Sequence, residues 1–191
     1  MINMVDLFCG AGGFTEGFKK SGGFKHIFAT DIDLQAIKTF NFNHQDIPTI
    51  CKDISRIDKD DILKISKGVN IDLIVGGPPC QGFSIAGKRI VDDPKNKLFL
   101  EYMRLVEILK PKFIVFENVV GLKSMKNGGV LEAILLNLSD LGFKSTYEVL
   151  NTADYGVPQA RPRVIIIGRS DNGELSFPAP THFKNDDNVL D

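Results

Sequence analysis

Residues 2–14 read INMVDLFCGAGGF, and this stretch decides the fold. A β-type apolar run over residues 2–8 passes into Gly10, Gly12 and Gly13 and then into a helix-like segment over residues 14–20. Glycines between a strand and a helix let the backbone come close to a ligand where side chains would block it. The full Gly-x-Gly-x-x-Gly spacing of a dinucleotide site is absent, so on its own the stretch also reads as a tight strand-to-helix turn.

Outward from this unit the alternation repeats. Strand-like residues 26–31 precede helix-like residues 33–42, and strand-like residues 71–75 precede helix-like residues 97–110. Further strands are expected at residues 112–117, 143–150 and 163–169, with a helix over residues 130–141 and a weaker one over residues 60–67. This is the pattern of an α/β, Rossmann-like fold, a mostly parallel twisted sheet with helices on both faces. Leu98, Tyr102, Leu105, Val106 and Leu109 recur at three- and four-residue steps, and Pro111 ends that helix. Two loops rich in glycine or proline, residues 76–95 and 153–162, sit where parallel-sheet proteins carry function. After Arg169 the pattern decays, which divides the chain into a domain over residues 1–170 and the start of a linker over residues 171–191.

With 191 residues, 43% hydrophobic and 25% charged, one compact globular domain is expected. No apolar stretch approaches the roughly 20 residues of a membrane span, and no signal core follows Met1, so the expected location is cytoplasmic. Cys9, Cys51 and Cys80 are odd in number and widely spaced, unlike a disulfide framework. His26, His44 and His182 lie too far apart to suggest a metal site. The net charge of -1 gives no general basic surface for nucleic acid. Residues 84–126 nevertheless hold nine Lys/Arg against five Asp/Glu, a local surplus that a solvated helix face would also explain.

Asp31 follows the glycine turn by about 20 residues, the distance at which a carboxylate reaches both ribose hydroxyls of an adenosine-containing ligand. Asp53 suits an adenine amine, with Ile54 against the ring, although Asp53 alone would read as a helix cap. At the end of the next strand, Pro78-Pro79 restrict the backbone before Cys80. A cysteine held there, in a polar loop, suits a nucleophile better than a small core residue.

Four segments then occur in a familiar order: residues 6–14, Gly77-Pro78-Pro79-Cys80-Gln81-Gly82-Phe83-Ser84, Phe116-Glu117-Asn118-Val119 and Gln159-Ala160-Arg161-Pro162-Arg163. The chain resembles the DNA (cytosine-5)-methyltransferases over about residues 6–183. That resemblance implies an S-adenosylmethionine-dependent methyltransferase fold and methylation of carbon 5 of cytosine. Carbon 5 becomes nucleophilic only after a group adds at carbon 6, and the Cys80 thiolate would be that group. Glu117 would bond the ring at N3, helped in its protonated form by burial at a strand end. Arg161 and Arg163 alternate and so share a face of a regular strand; the resemblance has one or both reach the base carbonyl or Glu117.

By the same resemblance Phe8, Gly10, Ala11, Gly12, Gly13 and Ile32 surround the cofactor, Asp31 holds the ribose, Asp53 and Ile54 the adenine, and Pro79 and Leu98 complete the pocket. The partner would be double-stranded DNA with the target cytosine flipped out of the stack. Residues 81–95 would close over it, with Ser84 and Lys88 near phosphates. Many relatives have glutamate and an aromatic at Asp31-Ile32, so an adenine-stacking ring is missing here. The family also continues into a target-recognition region and a last shared block carrying an asparagine. Those parts are expected from a second chain or from further C-terminal sequence. Two other readings stay open: methylation of tRNA, and a scaffold of the same fold without catalysis.

Overall fold

The structure, a computed structural model, describes residues 1–79, 97–171 and 173–182, together with the backbone of two short paired strands, Ile85–Ala86 (β5) and Arg89–Ile90 (β6). Cys80, Ser84 and Lys88 lie outside the residues whose side chains are described. Among the described residues the chain runs β1 (Ile2–Leu7), α1 (Gly13–Ser21), β2 (Phe24–Asp31), α2 (Leu34–Asn43), β3 (Thr49–Cys51), α3 (Lys59–Ser66), β4 (Leu73–Gly76), α4 (Lys97–Leu109), β7 (Phe113–Val119), α5 (Gly129–Asp140), β8 (Lys144–Asn151) and β9 (Pro162–Arg169).

The larger sheet has the order β3-β2-β1-β4-β7-β9-β8. Pairings are parallel from β3 through β7, and β9 runs antiparallel to both of its neighbours. The strand order reverses direction beside β1 and β4, so the loops after these strands open a crevice at their carboxyl ends, the place where such sheets bind ligands. β3 has no counterpart in the strands expected from sequence. Three residues following Pro48 are too short to show a period, and the segment is strand only because β2 offers it an edge.

Alternation along the central strands sorts the core. Val5, Leu7 and Ile74 face α3, α4 and α5, while Met4, Leu73 and Val75 face Phe14 and Phe18 of α1. In α4 the stripe Tyr102, Leu105 and Val106 is fully buried, with Phe116 of β7 set edge-on to both Phe99 and Tyr102. Coverage is uneven at β7 and β9. Ile114, Phe116, Val164 and Ile166 are buried on one face, but Val115, Glu117, Ile165 and Ile167 on the opposite face are only half-buried. No helix among the described residues is long and apolar enough to cross a membrane.

Candidate active site

The turn after β1 is built from two residues with left-handed backbone before the helix, Gly10 at φ +54° and Gly12 at φ +99°, and Phe8 also sits at φ +59°. Asp31 fixes this turn from the neighbouring strand: its Oδ2 accepts from the Gly10 amide at 2.9 Å and its Oδ1 from the Asp33 amide at 2.9 Å. The carboxylate expected at a ribose thus also holds the glycine turn in place, a role no spacing rule indicates. Each carboxylate oxygen has a second lone pair, so these bonds leave acceptor capacity for a ligand.

Gly12 is pinned from behind. A Cβ there would lie 2.5 Å from His44 Nε2 and 3.0 Å from the Phe40 ring, both on buried side chains, whereas one on Gly10 would meet nothing within 4 Å. Gly12→Ala is therefore expected to cost about 2–5 kcal/mol of stability, from backbone strain plus overpacking, and Gly10→Ala about 1–2 kcal/mol from strain alone. Thermal denaturation of the two variants reads the difference directly, and equal losses would contradict the packing argument.

Beside the turn lies a cleft of about 270 Å³ lined by Phe8, Asp31, Ile32, Asp53, Ile54, Pro79 and Leu98, and also by Thr30, Lys52 and Gly77. All seven of the first group are among the residues expected at a cofactor; Gly10, Ala11, Gly12 and Gly13 form the adjoining turn. Ile32 is 67% exposed and sits at the rim. Asp53 caps a three-residue 3-10 turn, Ile54–Arg56, through bonds from Ser55 to its Oδ1 at 2.9 Å (amide) and 2.8 Å (hydroxyl). These bonds hold its carboxyl below the usual range. Asp53 is thus both a cap and a cleft residue, and among the described residues its Oδ2 takes no hydrogen bond. Thr30 and Lys52, which sequence reasoning passed over, are the immediate neighbours of Asp31 and Asp53.

Next to the cleft, β4 and β7 bring two loop starts together. Gly76 pairs with Phe116, so Gly77 and Pro78 run alongside Glu117 and Asn118. Asn118, buried, donates from Nδ2 to the Pro78 carbonyl at 3.1 Å. A Cβ on Gly77 would stand 3.0 Å from Glu117 Oε2. Glu117 is less enclosed than a buried strand end suggests. Its side chain is 25% exposed, and Oε1 pairs with Arg163 Nε at 2.9 Å. The pairing follows from register: Val119 is opposite Arg163 and Glu117 opposite Ile165, so Glu117 and Arg163 are diagonal neighbours on one face.

Among the described residues Glu117 pairs with Arg163 and not with Arg161. β9 begins only at Pro162, and the Arg161 amide is held by Asn151 Oδ1 at 2.9 Å, with the residue exposed. The two other cysteines are poor nucleophiles for this place. Cys9 is 7% exposed, with burial pushing its thiol up, and Asp6 and Asp31 add to the effect; Cys51 ends β3, on the sheet's edge.

The model of the C-5 cytosine-specific DNA methylases matches residues 2–189. The chain belongs to this family. Its cofactor is S-adenosylmethionine, and the glycine turn, the Asp31 carboxylate and the adjoining cleft fit an adenosine-containing molecule of that kind. The Type II methyltransferase M1.HphI of Haemophilus parahaemolyticus is 41% identical over 184 residues, 95% of this chain and 49% of its own length. M.AquIA of Picosynechococcus sp. is 42% identical over 190 residues, 94% of this chain and 76% of its own. A solved structure described as a DNA modification methyltransferase encoded within a prophage of E. coli superposes with a TM-score of 0.75 at 34% identity, over 88% of this chain and 47% of that one. The Entamoeba histolytica methyltransferase EhMeth shares the fold, with a TM-score of 0.74 at 21% identity, over 100% of this methylase chain and 61% of its own. The methylase chain spans about half the length of the first curated relatives it matches.

Proposed function

We propose that the protein methylates carbon 5 of cytosine in DNA. The observation that carries this reading is the Glu117–Arg163 pair at 2.9 Å beside Gly77, with Gly77 and Pro79 both lining the adjoining cleft. Cys80, the residue after Pro79, adds through Sγ to carbon 6 of a flipped cytosine as a proton reaches N3, and the ring becomes an enamine. Glu117 holds the N3 edge, and Arg163 keeps the Glu117 carboxyl aimed. S-adenosylmethionine, held by the turn over residues 8–13 and by Asp31, Asp53, Ile54, Pro79 and Leu98, supplies the methyl group when bound. Loss of the carbon 5 proton to a base and departure of Cys80 as thiolate restore the aromatic ring.

Residues 1–170 form the catalytic domain in this reading, and residues from 171 lead toward target recognition. Polypeptide beyond these 191 residues, on the same or a second chain, supplies the base-reading surface. The half-buried row of Val115, Ile165 and Ile167 supports a further element packing there. The expected location is cytoplasmic, with duplex DNA as partner.

The test is transfer of tritiated methyl groups by the full-length protein into genomic DNA and into total tRNA. Label in DNA at 5-methylcytosine is the expected result. Label confined to tRNA would move the substrate, and label in neither would leave the fold without the reaction.

A further inference from the structure

We propose that Arg104 of α4 is a positioning residue for cofactor binding, acting as a strut that fixes the adenine-side wall of the cleft. The inference rests on the reading of that cleft as the cofactor site. Two walls of the cleft come from distant parts of the chain: Asp53 and Ile54 from the 3-10 turn after β3, and Leu98 from the first turn of α4. Arg104 joins them. Its Nη2 donates to the Ile54 carbonyl at 2.9 Å and to the Ile57 carbonyl at 3.0 Å, and its Nε pairs with Glu101 Oε2 at 2.6 Å on the same helix.

A three-residue 3-10 turn has little stability of its own, because it closes few hydrogen bonds for the backbone angles it fixes. The Ile54 carbonyl closes the turn by accepting the Ile57 amide at 3.2 Å and takes Arg104 on its second lone pair, while the Ile57 carbonyl lies just past the turn's end, where a cation complements the local dipole. Both carbonyls belong to buried residues, so charge-assisted bonds to them are not easily replaced by water. The carboxylate of Asp53 takes its direction from the Ser55 amide and hydroxyl, which are part of the same turn. Arg104 therefore sets, through the turn, both the Asp53 carboxylate and the Ile54 side chain. Lysine offers a point charge on a flexible stem and cannot reproduce a planar donor braced by Glu101 while reaching two carbonyls.

Arg104→Met and Arg104→Lys in the full-length protein test the strut. Calorimetry with S-adenosylhomocysteine and with 5′-methylthioadenosine is expected to show Kd raised about 10- to 100-fold in Arg104→Met and several-fold in Arg104→Lys, two bonds to the turn being lost or weakened. The factor should be the same for both ligands, since only the adenine wall is disturbed. At saturating cofactor kcat and the KM for DNA should stay within about twofold, a split that general loosening of the domain would not produce. Wild-type affinity in Arg104→Met overturns the role of Arg104; no binding by the wild type overturns the reading of the cleft. If Arg104→Met does not fold, Arg104→Lys decides: a raised Kd with unchanged kcat supports the strut, and a wild-type Kd sinks it.

Discussion

Replacing Cys80 by alanine in the full-length protein is expected to lower methyl transfer by a factor on the order of 10⁴ or more, as removal of a covalent nucleophile does elsewhere. Cofactor affinity should change little, because the cleft is walled by Phe8, Asp31, Asp53, Ile54 and Leu98 from other parts of the chain. The assignment to Cys80 rests on the segment that immediately precedes it. Asn118 holds the Pro78 carbonyl at 3.1 Å, Gly77 lies against Glu117, which pairs with Arg163, Pro78-Pro79 admit few backbone angles, and Pro79, the residue before Cys80, lines the cleft. Cys9 is buried against Ala29, Ile37 and Phe40, and Cys51 ends the edge strand β3. DNA carrying 5-fluorocytosine distinguishes the three. Fluorine at carbon 5 cannot leave as a proton does, so the adduct persists and the protein stays attached to DNA in denaturing gels. Wild type, Cys9→Ala and Cys51→Ala should form the adduct and Cys80→Ala should not; an adduct with Cys80→Ala would transfer the role to another residue.

Some of this was legible because the physics is local. A glycine turn between an apolar strand and a helix announces a βα unit, and the apolar steps of residues 98–109 place α4 correctly with Pro111 as its stop. The pairing of Arg163 with Glu117 was half-legible. Alternation on a strand puts Arg161 and Arg163 on one face, but only register selects which of them meets Glu117, and Arg161 falls before β9 begins. Register depends on both strands at once and leaves no mark on either segment alone. The double duty of Asp31, the clasp of Arg104 on two carbonyls 47 and 50 residues away, and the contact of His44 with Gly12 are of the same kind. Each joins a side chain to backbone across the fold, where residue type carries almost no information. Glu117 is more exposed than its strand position alone implies for a related reason: a strand end inherits its exposure from what packs over the sheet, and the face carrying Val115 and Ile165 is only half covered.

Asp6→Asn is expected to make the protein more stable above neutral pH than the wild type. Asp6 is 1% exposed beneath the glycine turn; Oδ2 accepts from the Thr15 hydroxyl at 2.8 Å, and among the described residues Oδ1 has no partner. Burial pushes its carboxyl up to about 7, with the nearby Asp31 charge adding to the rise and the Thr15 bonds opposing it. The folded protein thus keeps a proton that the unfolded chain releases near 3.8. Stability from that proton is complete below about pH 4, falls as pH rises through the window from about 4 to 7, and is gone above it, a change of about 4 kcal/mol. Asparagine is neutral throughout and keeps an oxygen for Thr15, so the variant should match the wild type within about 1 kcal/mol at pH 4. At pH 8 it should be more stable by about 4 kcal/mol, roughly 10 °C in melting temperature for a chain of this size. His26, whose ring burial holds below its ordinary value, titrates with the opposite sign and acts in both proteins, so the difference between their curves isolates Asp6. Denaturation at a series of pH values reads that difference. Parallel curves for the two proteins would mean that Asp6 is ionised in the fold at neutral pH and that the turn above it rests on a buried charge.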